Sequence, residues 1–350
     1  MTSDNDSPMA NLRRANGREK PWKVKYIAVG NESWGCGGSM RPEYYADNFR
    51  RYNTFLKNYG EQKLYRVACG AGGDDYEWTD TLMKVAGKQM DGLSLHYYTI
   101  PTGSWKHKGS ATDFSKEEYF GTLSNALRID DLINRHSAIM DTYDPKKRIG
   151  LAVDEWGVWT DVEPGTNPGF LYQQNSMRDA LVAALSLHIF QAHADRVRIA
   201  AIAQMVNVLQ SMILTDRDKI VLTPTYHVFE MLNVHQGATS IPIELTTPNL
   251  AQAREKIPAV SASASRDAQG RIHLSLANTD PDGPVTVACT FTGAAPAGVT
   301  GRLLTAPSMT SHNTFDSPHT VEPVAFNGAT LTGGKLSVVL PPLSVVVLEM

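Results

Sequence analysis

The sequence predicts an α/β fold followed by an all-β segment, and three observations carry that reading. From about residue 24 to 236, strand-like apolar runs alternate with stretches of helical periodicity, the pattern of a parallel sheet. From about residue 238 the helical period is gone, and short alternating runs are separated by Gly-, Pro- and Asp-rich turns, the texture of a β-sandwich. Glu32 and Glu155 each stand where an apolar run meets a Gly- and Trp-rich loop. In a parallel α/β barrel that position is the C-terminal rim, where catalytic groups collect. The expected architecture is a (β/α)8-type barrel, incomplete here with about five βα units, in residues 1–236, and a C-terminal β-sandwich in residues 237–350.

Lys25 to Gly30 is the first strand. Tyr45, Phe49, Tyr52, Phe55, Leu56 and Tyr59 recur at helical spacing and predict a helix over 42–59, opened by Pro42 and ended by Gly60. Lys63 to Cys69 is a strand, followed by a Gly-rich loop and a helix through Trp78, Leu82 and Val85. Gly92 to Tyr98 is the next strand, and a long loop leads to a helix through Leu123, Leu127, Leu132 and Ile139. Residues 149–155 form the strand that carries Glu155, and a helix at about 171–193 follows. Arg196 to Gln204 is one more strand, and Thr223 to Asn233 the helix that closes the series. In the tail, Arg271–Ala277, Val285–Phe291, Lys335–Leu340 and Leu343–Leu348 alternate as strands.

Composition narrows the function. A formal net charge of −3 without a basic stripe gives no nucleic-acid surface, and no apolar run approaches a membrane span of about 20 residues. Residues 1–23 are polar, without the apolar core of a secretion signal, which leads to an expected cytoplasmic location. Cys36, Cys69 and Cys289 are too scattered for a disulfide framework or a tetrahedral metal site, so no cofactor and no metal are expected. A homo-oligomer is left open.

The chemistry rests on the two glutamates. Two rim carboxylates on rigid strands are what glycoside hydrolysis requires, one to protonate the leaving oxygen and one to attack the sugar or activate water. The plainer reading of either residue alone is a polar strand end. Strand alternation turns Glu155 and Asp154 to opposite faces, so Glu155 is taken as reactive and Asp154 as a structural acid outside the site. Trp34, Trp156 and Trp159 occupy rim loops where flat rings stack on sugars, and loop packing is expected for at least one of them. His96, a lone strand histidine, is read as a bonded core residue rather than a catalyst, and His188 and His193 are read as structural.

Val29-Gly30-Asn31-Glu32 and Asp154-Glu155-Trp156 resemble the acid/base and nucleophile strands of the large retaining glycosidase clan built on (β/α)8 barrels. Leu12 to Glu19, Tyr26 to Gly35, Leu95 to Thr99, Arg178 to Leu181, His193 to Arg196 and Ala203 to Val208 narrow the resemblance to the α-L-arabinofuranosidases of glycoside hydrolase family 51. That resemblance implies Glu32 as acid/base, Glu155 as nucleophile, and Asn31, Tyr98 and Gln204 as sugar-binding residues alongside Trp34 and Trp156. It implies retaining release of terminal arabinofuranose from arabinose-containing oligo- and polysaccharides. Tyr98 shares the strand face of His96, and its hydroxyl is expected to reach Glu155. Members of the family carry a further segment in front that supplies three barrel strands, so the chain is expected to be a fragment. The rival functions are a truncated, inert sugar-binding or vestigial protein, and another clan activity such as xylanase or endoglucanase.

Overall fold

The computed structural model describes residues 1–293 and 296–350. The chain divides into two compact units, one of residues 1–96, 132–154 and 195–199, the other of residues 97–131, 155–194 and 200–350. A helix not expected from the periodicity, α1 (Pro8–Ala15), comes first, with Ser7 accepting from the Ala10 N–H as its cap.

A five-stranded sheet follows, in the order β1 (Tyr26–Val29), β2 (Tyr65–Gly72), β3 (Gly92–Thr99), β4 (Gly150–Val158), β5 (Val197–Ala200). β1 pairs with β2 in parallel, Tyr26 opposite Tyr65 and Val29 opposite Ala68. β2 pairs with β3 in parallel, with a register shift between Ala68 and Ala71. Helices fill the crossovers: α2 (Pro42–Asn53), α3 (Tyr76–Ala86), α4 (Lys116–Tyr143) and α5 (Met177–Ala192). Sequential strands are therefore spatial neighbours, as the strand–helix alternation requires.

Several elements differ in length from the reading of the pattern: β5, read as Arg196 to Gln204, stops at Ala200, and α5, read from about residue 171, begins at Met177. α2 stops at Asn53 instead of running to residue 59, and buries only Tyr45, Ala46 and Phe49. Tyr52 and Phe55 are exposed, the latter by 74%. Beyond the helix, polar groups hold the backbone: Asn58 Oδ1 accepts from the Leu64 N–H, and Arg66 donates to the Leu56 carbonyl. β4 runs on to Val158, so Glu155 sits inside a strand and not at its end. The continuation is held by Gln210, fully buried, whose carbonyl accepts the Val158 N–H. Gly157 (φ 130) makes room for it, since a Cβ there would lie 2.8 Å from Gln210 Oε1.

In the first unit the base of the sheet is tied by Arg196, 1% exposed, which donates to the Ile149 carbonyl at 2.8 Å and pairs with Asp144 at 3.1 Å and with Asp141. Burial alone would raise the Asp144 carboxyl, but the Ile149 and Arg148 N–H groups and the Arg196 guanidinium outweigh it and hold it below its ordinary value. In the second unit α5 is buried on almost every side, the mark of a core helix rather than an amphipathic one. It begins at Met177, where the Ser176 N–H donates to the Asp179 carboxylate at 2.7 Å. An antiparallel hairpin absent from the sequence reading, β6 (Ile213–Asp216) and β7 (Lys219–Leu222), precedes α6 (Pro224–Leu232).

The expected all-β segment forms two principal sheets. The strands are β8 (Thr239–Ile241), β9 (Asn249–Gln252), β10 (Glu255–Pro258), β11 (Val260–Arg266), β12 (Ile272–Asn278) and β13 (Val285–Thr290). They continue with β14 (Thr300–Thr305), β15 (Val324–Ala325), β16 (Ala329–Thr332), β17 (Lys335–Leu340) and β18 (Ser344–Glu349). One sheet has the order β15-β14-β18-β12-β11-β8 and the other β13-β17-β16, with β9 and β10 a separate pair. Leu274, Leu276, Phe326, Leu336, Val338, Leu340, Val346 and Leu348 fill the core. Along β17 exposed and buried positions alternate strictly, as a strand with one wet face must.

Candidate active site

In the first unit the backbone leaves β1 through Gly30 (φ 88) and turns sharply at Glu32, whose φ of 42 lies in the left-handed region. A non-glycine residue there carries roughly 1–3 kcal/mol of strain, which the surroundings must hold in place. The loop closes on itself, with the Gly35 and Gly37 N–H groups donating to the Glu32 carbonyl at 2.8 and 2.9 Å. Only glycine fits at 37, because a Cβ would sit 1.8 Å from the Asn31 carbonyl oxygen. The loop is pinned to β2 by the Ser33 N–H on Cys69 Sγ at 3.3 Å and by the Trp34 indole N–H on the Gly70 carbonyl at 3.1 Å. Behind it the Tyr45 hydroxyl donates to the Val29 carbonyl and accepts the Cys69 N–H at 2.6 Å, joining β1 to β2. Burial raises the Tyr45 phenol well above its usual range, so it stays a donor.

The Glu32 carboxylate is held at both oxygens. His96 Nδ1 lies 2.9 Å from Oε1, and the Cys36 thiol donates to Oε2 at 3.2 Å. His96, with its side chain 6% exposed, also brings Nε2 to 3.3 Å from Asp154 Oδ1, an electrostatic contact and not an aligned hydrogen bond. His96 is thus a buried, bonded histidine whose partner is Glu32, whereas Asp154, expected outside the site, reaches that histidine. The correction has one cause: a side chain's neighbours are set by the packing of several strands, whereas alternation fixes only its face.

In the second unit the Tyr98 hydroxyl donates to Glu155 Oε1 at 2.5 Å, as the family resemblance implied. Tyr98 packs edge-on against Trp159 with ring centroids 4.7 Å apart, and Trp159 against Trp105 at 5.3 Å. Trp105 is 59% exposed and was not singled out in the sequence. Lys108 lies over the Trp159 ring, and Asp161 holds the same loop by accepting the Lys108 and Gly109 N–H groups at 3.2 and 3.1 Å.

Trp156, expected to stack on sugar, is instead core. It is 2% exposed and packs between Phe190 (5.1 Å) and Phe229 (5.9 Å). One residue after Glu155 on a strand, it points to the opposite face. Asn31 and Gln204 are exposed, Trp34 is half-buried, and the Ala203–Gln204 peptide bond is cis. His188 and His193 are structural: the first bonds Ser261 Oγ at 2.9 Å, the second Asp130 at 2.6 Å. None of the three cysteines is in a disulfide, and no described helix is long and apolar enough to cross a membrane.

Residues 154–344 match the family model of the α-L-arabinofuranosidase C-terminal domain, and residues 1–117 that of the α-L-arabinofuranosidase 1 domain. The whole chain aligns at 52% identity with an intracellular exo-α-L-arabinofuranosidase of Bacteroides ovatus and spans 68% of its length. The whole chain also superposes on the family 51 arabinofuranosidase of Xanthomonas axonopodis pv. citri, with a TM-score of 0.97 at 52% identity, and covers 71% of it. A family 51 α-L-arabinofuranosidase from Bifidobacterium longum superposes over the whole chain with a TM-score of 0.86 at 25% identity, again with 71% of that structure covered. These likenesses give the architecture as an α/β barrel followed by a C-terminal sheet domain.

Proposed function

The chain belongs to the α-L-arabinofuranosidases of glycoside hydrolase family 51, and we propose that it releases terminal α-L-arabinofuranosyl residues from arabinose-containing oligo- and polysaccharides by a retaining mechanism with Glu32 as acid/base and Glu155 as nucleophile. One observation carries the assignment of roles: β3 offers His96 to Glu32 and, two residues on, Tyr98 to Glu155.

In the first step the Glu155 carboxylate attacks the anomeric carbon while the glycosidic C–O bond breaks and the proton of Glu32 goes to the leaving oxygen. In the second, Glu32, now a carboxylate, takes a proton from water. The resulting hydroxide attacks the anomeric carbon, and Glu155 leaves as a carboxylate. The Tyr98 O–H stabilises the ionised form of Glu155 in both end states. Asn31, Gln204 and the half-buried Trp34 are the sugar contacts in this reading. The edge-packed Tyr98, Trp159 and exposed Trp105 offer an aromatic surface for the remainder of the substrate.

The five-stranded sheet is read as part of an eight-stranded barrel, with the boundary to the sandwich at residues 236 and 237. The relative from Bacteroides ovatus is named as intracellular, and that name supports the same location here. The test is hydrolysis of p-nitrophenyl α-L-arabinofuranoside beside the β-xyloside and β-glucoside, with the first-formed anomer followed by NMR. Turnover of the arabinofuranoside alone, with retention, is the expected result. Turnover of the xyloside alone, an inverted first product, or a folded chain that binds arabinose without turnover would overturn it.

A further inference from the structure

The Glu32 carboxylate has an arrangement that its proposed role alone does not require. Oε1 is committed to His96, a buried side chain. Oε2 meets the thiol of Cys36, an exposed residue. The oxygen that exchanges a proton with a substrate must be reachable, and Oε2, set against an exposed residue, is taken as that oxygen. The group set against it is a thiol, a weak donor through S–H and a weak acceptor through sulfur.

We propose that Cys36 is a positioning residue for Glu32, its thiol orienting the Oε2 oxygen that exchanges the proton while His96 anchors Oε1. The proposal rests on the acid/base reading of Glu32. The chemistry of the pair explains the choice of residue. An ammonium or guanidinium at this distance would favour the ionised carboxylate and oppose the acid form. A thiol donates to the carboxylate when Glu32 is ionised and accepts from the carboxyl when it is protonated. It therefore serves both halves of the reaction, and it is weak enough to release the oxygen when the glycosidic oxygen arrives. The backbone supports the same purpose. The glycines on either side of Cys36 donate to the Glu32 carbonyl, and Gly37 admits no Cβ, so residue 36 is held against the residue that starts the turn.

Two arms test the proposal. In the first, Cys36→Ala and Cys36→Ser are compared on a nitrophenyl arabinofuranoside and on an alkyl arabinofuranoside, whose leaving group needs protonation. Cys36→Ala is expected to lose about tenfold in kcat on the alkyl substrate and little on the nitrophenyl one, with KM steady and the pH profile of kcat displaced; Cys36→Ser should recover most of the loss. Equal losses on both substrates, or none on either, would overturn the positioning role. Glu32→Ala on the same two substrates is the control for the underlying reading. If it shows no leaving-group dependence, the acid/base assignment fails and not merely the role of Cys36.

The second arm needs no turnover. Thiolate is the reactive form of cysteine, and a carboxyl group 3.2 Å away that carries negative charge opposes a second one, which a carboxamide does not. Labelling of the 350-residue chain by iodoacetamide near pH 8 should therefore quicken about tenfold at Cys36 in Glu32→Gln. The buried Cys69 and half-buried Cys289 serve as internal references, and Cys36→Ser identifies the labelled site by mass. An unchanged rate in Glu32→Gln would show that the thiol and the carboxylate do not interact, and the proposal would fall.

Discussion

The surroundings of Glu32 and of Glu155 solve one problem by opposite means. Glu155 lies inside a regular strand, and the Tyr98 phenol on the neighbouring strand donates to its carboxylate. Glu32 lies beyond the end of β1, in the left-handed region, in a loop where two glycines approach its backbone and a histidine and a thiol meet its two oxygens. The difference matches what each is proposed to do. A nucleophile must remain ionised and fixed, which a strand and one strong donor accomplish. An acid/base must change protonation state twice in a cycle, which calls for partners that tolerate both forms.

The largest effect should come from the strand side. Glu155→Ala is expected to lower kcat by roughly 10⁴-fold or more, as nucleophile removals do. Azide should restore turnover of an activated arabinofuranoside, with inverted product. Rescue with inversion in Glu32→Ala instead would exchange the two roles.

On the loop side, the sharpest cut avoids the carboxylate altogether. Gly37→Ala places a Cβ where the Asn31 carbonyl oxygen stands, so the turn must open and Glu32 must leave its partners. Turnover of substrates with poor leaving groups should fall by about two orders of magnitude, the scale of lost general acid catalysis. Circular dichroism should change little, because the strand and helix cores are untouched. A Gly37→Ala chain with full activity would show that the closed loop is dispensable.

Tyr98→Phe is the matching cut on the other side and a smaller one. Removing a hydrogen bond to a charged group costs about 1.5–3 kcal/mol, or roughly ten- to a hundredfold in kcat. Nitrophenyl and alkyl substrates should lose alike if the phenol serves only the nucleophile. A loss confined to the alkyl substrate would place Tyr98 in the acid's service and remove the contrast between the two regions.

A last prediction concerns stability and not turnover, away from both carboxylates. Burial, then the nearby His235, lowers His188 to about 3; burial, then the nearby His273, lowers His235 to about 4. Both are thus neutral in the folded chain where an unfolded chain would take up protons, from its ordinary value of about 6.5 downward. The unfolded state binds more protons in that window, so stability is full above about pH 6.5. It falls as pH drops towards 4, by up to ~1.4 kcal/mol per unit for each histidine. Urea midpoints measured from pH 8 to 4 should follow that course, and His235→Asn should flatten it. A midpoint independent of pH would show that neither histidine stays neutral on folding.

The sequence by itself determined the pieces whose signal is local. Strand–helix alternation gave five parallel strands in chain order, period-two runs gave the sandwich strands, and the pair Glu32 and Glu155 stood out by position. The two-residue spacing of His96 and Tyr98 placed both on one face of β3, and the family resemblance supplied Glu155 as the expected partner of the phenol. Tertiary structure decided everything that depends on what lies across the gap. It made Trp156 a core residue between two phenylalanines, turned His96 and Asp154 into the support of Glu32, and extended β4 past Glu155 on the carbonyl of Gln210. It also set Cys36 on a carboxylate four residues back. The physical reason is that periodicity fixes the side on which a residue lies, through the repeat of its own backbone. Which atom waits on that side is fixed by the packing of segments distant in the chain, and no local pattern encodes it.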